Sequence, residues 1–259
     1  MKIGFFDSGI GGLSVMNEAI KQLGGNEFLF FADKKNVPYG NKTSEQVVKF
    51  SLDAVGFLIE QGAEAVVVAC NTATSAAITQ LRANFNEPII GMEPALKRAV
   101  DLNDGKKTLV IATPITIAGQ KLHDLIQKTN ANEIVDLLAL PKLVEFAENF
   151  EFDSEQVREY LKEKLSKFEL KNYGSLVLGC THFNYFKEIL REILPSDIKI
   201  LDGIQGTINR LISETNIEIS GDKISSVKYY YSGTQVTDKK ELEKLNLYLK
   251  HLEKVREIS

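Results

Sequence analysis

Nine short runs of Val, Ile, Leu and Phe alternate with helical patterns from one end of the chain to the other. They fall at 2–6, 28–31, 65–69, 88–91, 108–112, 134–139, 175–178, 198–201 and 227–231. Most are unbroken, which is how a strand reads when both of its faces are covered. Between them Leu13, Met16, Ile20 and Leu23 recur at helical spacing and stop at Gly24-Gly25, a predicted C-cap. Val48, Leu52, Val55 and Ile59 repeat the pattern, opened by Thr43 with Gln46 three residues on and closed by Gly62. A last helix opens at Asp238, with Glu241 in capping-box position, and turns Leu242, Leu245, Leu249 and Leu252 inward. Such alternation predicts a mainly parallel α/β architecture.

The two halves also resemble each other. Phe5-Phe6-Asp7-Ser8 has a counterpart in Ile111-Ala112-Thr113-Pro114, 106 positions later. The expected architecture is two similar α/β domains, pseudo-twofold related, with the site in the cleft between them. Residues 1–95 form the first domain, to which 207–259 return, and residues 96–206 form the second. No low-complexity linker marks the boundaries near Pro94 and Gly206. The segment 145–169 is the most charged and reads as a solvated helical excursion with no chemistry of its own.

The chain of 259 residues carries 31 basic and 35 acidic side chains, a net charge of −4. Its lysines are interspersed with glutamates, so no basic stripe offers itself to nucleic acid. Met1 runs straight into the first strand, leaving no room for a signal peptide, and no apolar run approaches the ~20 residues that span a bilayer. Two cysteines are too few for a disulfide scaffold or a structural zinc site, and a reducing cytoplasm is expected.

Those two cysteines are the chemical signal. Ala65-Val66-Val67-Val68-Ala69-Cys70-Asn71-Thr72-Ala73 and Ser175-Leu176-Val177-Leu178-Gly179-Cys180-Thr181-His182-Phe183 each leave a buried strand for a helix, 110 positions apart. Parallel sheets place their chemistry at the carboxyl ends of strands, so two thiols at equivalent ends point to one site. A lone cysteine is usually packing; matched ones suit a reaction that takes a proton from one face and returns it to the other. At a helix N-terminus the dipole favours the Cys70 thiolate, and His182 can hold or accept a thiol proton. His123 and His251 fall in helical patterns and are expected to face solvent. Asp7 ends the first strand where an apolar residue is usual, and the following Ser8-Gly9-Ile10-Gly11-Gly12 lets backbone N–H groups approach an anion. The glycine loop matches neither a dinucleotide fingerprint nor a P-loop. Tyr39 and Gly40, in a turn stiffened by Pro38, can offer a hydroxyl and backbone donors. Thr113 and Thr116 can add hydroxyls.

Phe6-Asp7-Ser8-Gly9-x-Gly11-Gly12-Leu13-Ser14-Val15, Val37-Pro38-Tyr39-Gly40, Ala69-Cys70-Asn71-Thr72-Ala73 and Gly179-Cys180-Thr181-His182-Phe183 resemble the four signatures of the glutamate racemases, in order. Gly91-Met92-Glu93-Pro94-Ala95 resembles a further family segment, and Tyr231-Ser232-Gly233 fits its tail. The resemblance implies an enzyme without cofactor or metal that interconverts L- and D-glutamate and supplies D-glutamate for peptidoglycan. It implies Cys70 and Cys180 as the two bases, assisted by Asp7 and His182. Substrate contacts are implied for Asp7, Ser8, Pro38, Tyr39, Gly40, Asn71, Thr72, Thr113, Thr116, Thr181 and His182. Residues 140–145 loosely match a family Pro-x-x-Val-Pro region, which places Glu148 on a pocket-lining glutamate. Asn184 replaces a common Pro, and Asp202-Gly203 stands where Asp-Ser is usual. The expected partner is glutamate alone, with no nucleic acid or membrane, and a homodimer is compatible with the family. Two rivals share features: a sister racemase for aspartate or another acid, and a redox or binding protein whose two thiols form a disulfide. The absence of a C-x-x-C pair weighs against the second.

Overall fold

A computed structural model of the chain describes residues 1–102, 105–217 and 225–259. All nine predicted strands form: β1 (Lys2–Asp7), β2 (Glu27–Ala32), β3 (Ala65–Val68), β4 (Ile89–Gly91), β5 (Lys107–Ala112), β6 (Val135–Ala139), β7 (Tyr173–Gly179), β8 (Lys199–Asp202) and β9 (Ser226–Tyr231). A tenth, β10 (Thr234–Gln235), is a two-residue antiparallel return on β9 that carries no apolar run to announce it. The strands build two sheets, ordered β10-β9-β2-β1-β3-β4 and β6-β5-β7-β8, and every pairing but β9–β10 is parallel. Within them the order 2-1-3-4 recurs as 6-5-7-8, so the internal likeness read from the sequence reappears as a duplicated topology. Strands from 2–91 and 226–235 make the first sheet, and strands from 107–202 make the second.

The unbroken apolar runs are explained by burial on both faces. Phe5, Phe28 and Phe30 point to one side of the first sheet and pack in a cluster that reaches Leu143, Phe152 and Tyr185 of the second half. Their neighbours Phe6, Leu29 and Phe31 point the other way, against Val55, Leu58 and Leu81 of the flanking helices. Val110, Val177 and Leu201 form the outer core of the second sheet with Ile126 and Leu96.

Helix boundaries follow the caps. Thr43 and Gln46 make the reciprocal capping box at the start of Ser44–Glu60, and Gly62 beyond its end has φ +88°. Asp238 accepts from the N–H groups of Lys240 and Glu241 at the head of Lys239–Val255. That helix buries Leu245, Tyr248, Leu252 and Val255, leaving Leu242 and Leu249 half-buried. Among the described residues no helix is long and apolar enough to cross a membrane.

The segment 145–169 departs from its expected solvated character. Val157, Tyr160, Leu161 and Leu165 of the helix Glu155–Leu165 are buried, because they recur on one face under a charged exterior. His251 departs too: its ring stacks on Phe152 with centroids 4.2 Å apart, and its Nε2 lies 2.8 Å from the carbonyl oxygen of Tyr185. His123 is exposed, as expected.

Candidate active site

The carboxyl ends of β1, β3, β5 and β7 carry the chemistry-bearing residues. Asp7, the last residue of β1, is fully buried. Its Oδ1 accepts from the Gly9 N–H at 2.8 Å and the Ser8 hydroxyl at 3.3 Å, while Oδ2 accepts from Thr181 Oγ1 of the second half at 2.8 Å. The next helix, Leu13–Gln22, is capped by Gly12 without a side-chain bond, so Asp7 is not its cap. Burial pushes the Asp7 carboxyl up to about 6, against the lowering pull of His182 and the Gly9 and Thr181 bonds. Cys70 Sγ lies 3.6 Å from Ser8 Oγ, which links thiol, hydroxyl and carboxylate in series.

Cys70 caps the helix Asn71–Asn84, and its sulfur accepts from the Ala73 N–H at 3.5 Å. The helix end does not make it acidic, contrary to the sequence expectation. Burial, then the Asp7 charge, push the thiol up to about 12, overriding the Ala73 and Ser8 hydrogen bonds. Beside it, the buried Asn71 Oδ1 has no hydrogen-bond partner among the described residues.

Cys180 follows β7 and enters a 3-10 turn, Thr181–Phe186, before the α-helix Lys187–Ile193 begins. That tight turn brings His182 back, with Nδ1 3.9 Å from Cys180 Sγ. On the other side of the ring, Nε2 lies 2.8 Å from Glu148 Oε1. Burial pulls His182 down, yet the contacts with Cys180 and Glu148 and the Asp7 charge raise it to about 10. Glu148 responds the opposite way: burial raises it, but the His182 bond and charge, with Lys34, hold it at about 2. An imidazolium–carboxylate pair thus stands behind Cys180.

Glu148 ends the helix Lys142–Glu148, so the supposedly inert excursion begins with a site residue. Its charge is masked in sequence by neighbours of the same sign, the exposed Glu145 and the half-buried Glu151. Its Oε1 also accepts from the Ile10 N–H at 2.7 Å. The glycine loop therefore does approach an anion, but one supplied by its own chain. A Cβ on Gly9 would lie 1.9 Å from Glu148 Oε1, and one on Gly11 would lie 2.5 Å from His182 Nδ1. Both glycines make room for the pair behind Cys180.

Three hydroxyls meet after β3 and β5: Thr72 lies 2.9 Å from Thr113 and 3.5 Å from Thr116, and Thr113 lies 3.0 Å from Thr116. Thr72 follows β3, whereas Thr113 and Thr116 follow β5. This second bridge between the halves is the counterpart of Asp7–Thr181. Pro38 leads into the 3-10 turn Tyr39–Asn41, where a Cβ on Gly40 would meet Thr113 Cβ at 3.0 Å. The Tyr39 hydroxyl, expected to face a ligand, instead donates to Asp33 Oδ2 at 2.8 Å. Asp33 Oδ1 in turn accepts from Ser232 Oγ, also at 2.8 Å.

The sequence reading missed Lys34, Asp33 and Tyr248, whose hydroxyl donates to the Glu148 carbonyl oxygen at 2.9 Å. Their partners stand 100 or more positions away for Lys34 and Tyr248, and no local pattern marks them. Cys70 and Cys180 remain free thiols, 5% and 6% exposed.

Comparison with known proteins identifies the family. Residues 8–211 match the family model described as Asp/Glu/Hydantoin racemase. The chain is 59% identical over 261 residues to a glutamate racemase of Campylobacter concisus, with both chains fully covered. Among solved structures it resembles glutamate racemase from Campylobacter jejuni, at 27% identity and TM-score 0.83, covering 96% of this chain and 98% of that one. It also resembles the Francisella tularensis glutamate racemase solved with D-glutamate, at 30% identity and TM-score 0.80, covering 96% and 93%. With its duplicated sheets and paired thiols, the chain belongs to the Asp/Glu/hydantoin racemase family and, within it, to the glutamate racemases.

Proposed function

We propose that this enzyme interconverts L- and D-glutamate by passing protons between two thiols, with no cofactor, and so supplies D-glutamate for peptidoglycan. The observation that carries the reading is the placement of Cys70 and Cys180 after equivalent strands, β3 and β7, of two sheets with the same strand order. From L-glutamate, Cys180 as thiolate takes the α-proton and becomes a thiol. Cys70, a thiol at the outset, delivers its proton to the opposite face and becomes the thiolate. The product is D-glutamate, and the thiols are left in the state that runs the reverse reaction; proton exchange with solvent restores the start. A Cys70 thiol pushed up to about 12 suits the donor role in this direction.

The rest of the site has matching tasks. His182, held as imidazolium by Glu148, keeps a positive charge beside Cys180. Ser8 and Asp7 offer Cys70 a route for its proton. The unpartnered Asn71 Oδ1 is an acceptor for the substrate ammonium, and the Thr72, Thr113 and Thr116 hydroxyls are donors for a carboxylate. Because the α-proton is very weakly acidic, these contacts must neutralise the substrate carboxylate and stabilise the developing carbanion.

Glutamate is favoured over aspartate by the Cys-Asn-Thr-Ala and Cys-Thr-His sequences and by relatives that act, by their names, on glutamate. Circular dichroism of L-glutamate mixed with purified, chelator-dialysed protein tests the proposal. The signal is expected to decay to zero as the racemate forms. A signal that holds steady, or decays only with an added cofactor or with aspartate, overturns it.

A further inference from the structure

The loop after β2 sends one cation into the site from the far side. Lys34 Nζ lies 2.5 Å from Glu148 Oε2, across a separation of 114 positions and between the two halves. Glu148 is only 12% exposed and Lys34 26%, so this pair is far drier than a surface bridge. Oε2 meets Lys34 while Oε1 is shared by His182 Nε2 and the Ile10 N–H, which sets both the position and the rotation of the carboxylate.

Lys34 is itself held. Its ammonium stands 5.5 Å from the centre of the Tyr231 ring, a distance at which the ring face attracts a cation. The Ser232 hydroxyl, in the turn between β9 and β10, accepts from the Lys35 N–H at 3.0 Å and donates to Asp33 Oδ1. The two residues flanking Lys34 are thereby pinned to the end of the first sheet. The contacts run without a gap from that turn through Lys34, Glu148 and His182 to the Cys180 sulfur.

We propose that Lys34 is a positioning residue for the Cys180 half-reaction: it fixes the Glu148 carboxylate and, through it, the His182 ring against Cys180. The inference rests on the two-thiol reading, in which Cys180 serves L-glutamate and Cys70 serves D-glutamate. Lys34 makes no direct contact with Ser8 or Cys70, and on that side the Glu148 carboxylate meets only the backbone N–H of Ile10, so losing Lys34 falls mainly on the Cys180 half-reaction.

Single-thiol variants separate the halves. In deuterated solvent Cys70→Ser should exchange the α-proton of L-glutamate only, and Cys180→Ser that of D-glutamate only. If either variant exchanges both enantiomers at comparable rates, or neither exchanges any, the two-thiol reading itself fails. Where that pattern holds, adding Lys34→Met to Cys70→Ser should slow L-glutamate exchange about tenfold or more, the cost of a slightly misplaced catalytic group. Adding it to Cys180→Ser should change D-glutamate exchange less than about twofold. Lys34→Arg, which keeps the charge and the reach to Glu148, should restore most of the L-glutamate rate. In a Glu148→Gln background, Lys34→Met should cost nothing further, because its route to His182 is already cut. Equal losses for both enantiomers, no loss for either, or an undiminished loss in the Glu148→Gln background overturns the assignment. The Glu148→Gln comparison, read in the intact two-thiol enzyme as kcat for L-glutamate, serves if a double variant fails to fold.

Discussion

At the residue scale, the site holds ionisable groups whose burial and pairing push them in opposite directions, and this has consequences for stability. His182 keeps its proton to about pH 10 in the folded chain, against about 6.5 unfolded. The stability it contributes is complete below about pH 6.5 and is lost as pH rises through about 10. In urea titrations, His182→Asn is expected to flatten the alkaline decline seen in the parent; an unchanged decline contradicts the pairing. Asp7 adds a slope of the same sign over a lower interval, since burial raises its carboxyl to about 6 when folded from near 4 when unfolded. Over that interval the folded state holds more protons, so stability falls as pH rises. Asp7→Asn is accordingly expected to lower turnover while raising the unfolding midpoint above pH 6. Gly9→Ala places a methyl on Glu148 Oε1, and turnover should fall about a hundredfold, the scale of an ångström-sized displacement. Steady-state kinetics with D- and L-glutamate would show it.

At the scale of elements, most of the fold was legible because local signals and tertiary context agree. Strands buried on both faces announce themselves as apolar runs, and Thr43 with Gln46 forms the box its spacing implies. Thr43→Ala should therefore cost about 1 kcal/mol of unfolding free energy, read from a denaturant midpoint, without altering turnover. What stayed hidden depends on partners far along the chain. His251 looked solvent-facing because its helix is polar on average, yet Phe152 and Tyr185 receive it. The glycine loop was legible as a loop that admits an anion, but nothing local identified Glu148 as that anion. For Cys70 the helix N-terminus argued for an acidic thiol, and burial beside Asp7 reversed it. Lys34 had no signal at all, being one of two adjacent lysines in an ordinary turn.

At the scale of the molecule, two sheets of the same strand order meet at their carboxyl ends and are sewn together by site residues. Asp7–Thr181, Thr72–Thr113, Ile10–Glu148 and Lys34–Glu148 all cross from one half to the other. Cys70 and Cys180 are both buried, so a closed site that must loosen to admit glutamate is expected. Alkylation by a neutral thiol reagent should then be far slower than that of a free cysteine peptide and should speed up under mild denaturant that leaves the fold intact. Parity with the peptide contradicts a closed site.

The central claim, that two thiols act on opposite faces, is tested most directly by starting from L-glutamate in deuterated water and stopping at low conversion. A thiol that has exchanged with solvent delivers deuterium, while the proton taken from the substrate stays on the other sulfur. The D-glutamate formed should carry deuterium at Cα in essentially every molecule, and the remaining L-glutamate should retain protium. D-glutamate that keeps the original proton, or L-glutamate that gains deuterium as fast as product forms, would mean that a single base serves both faces.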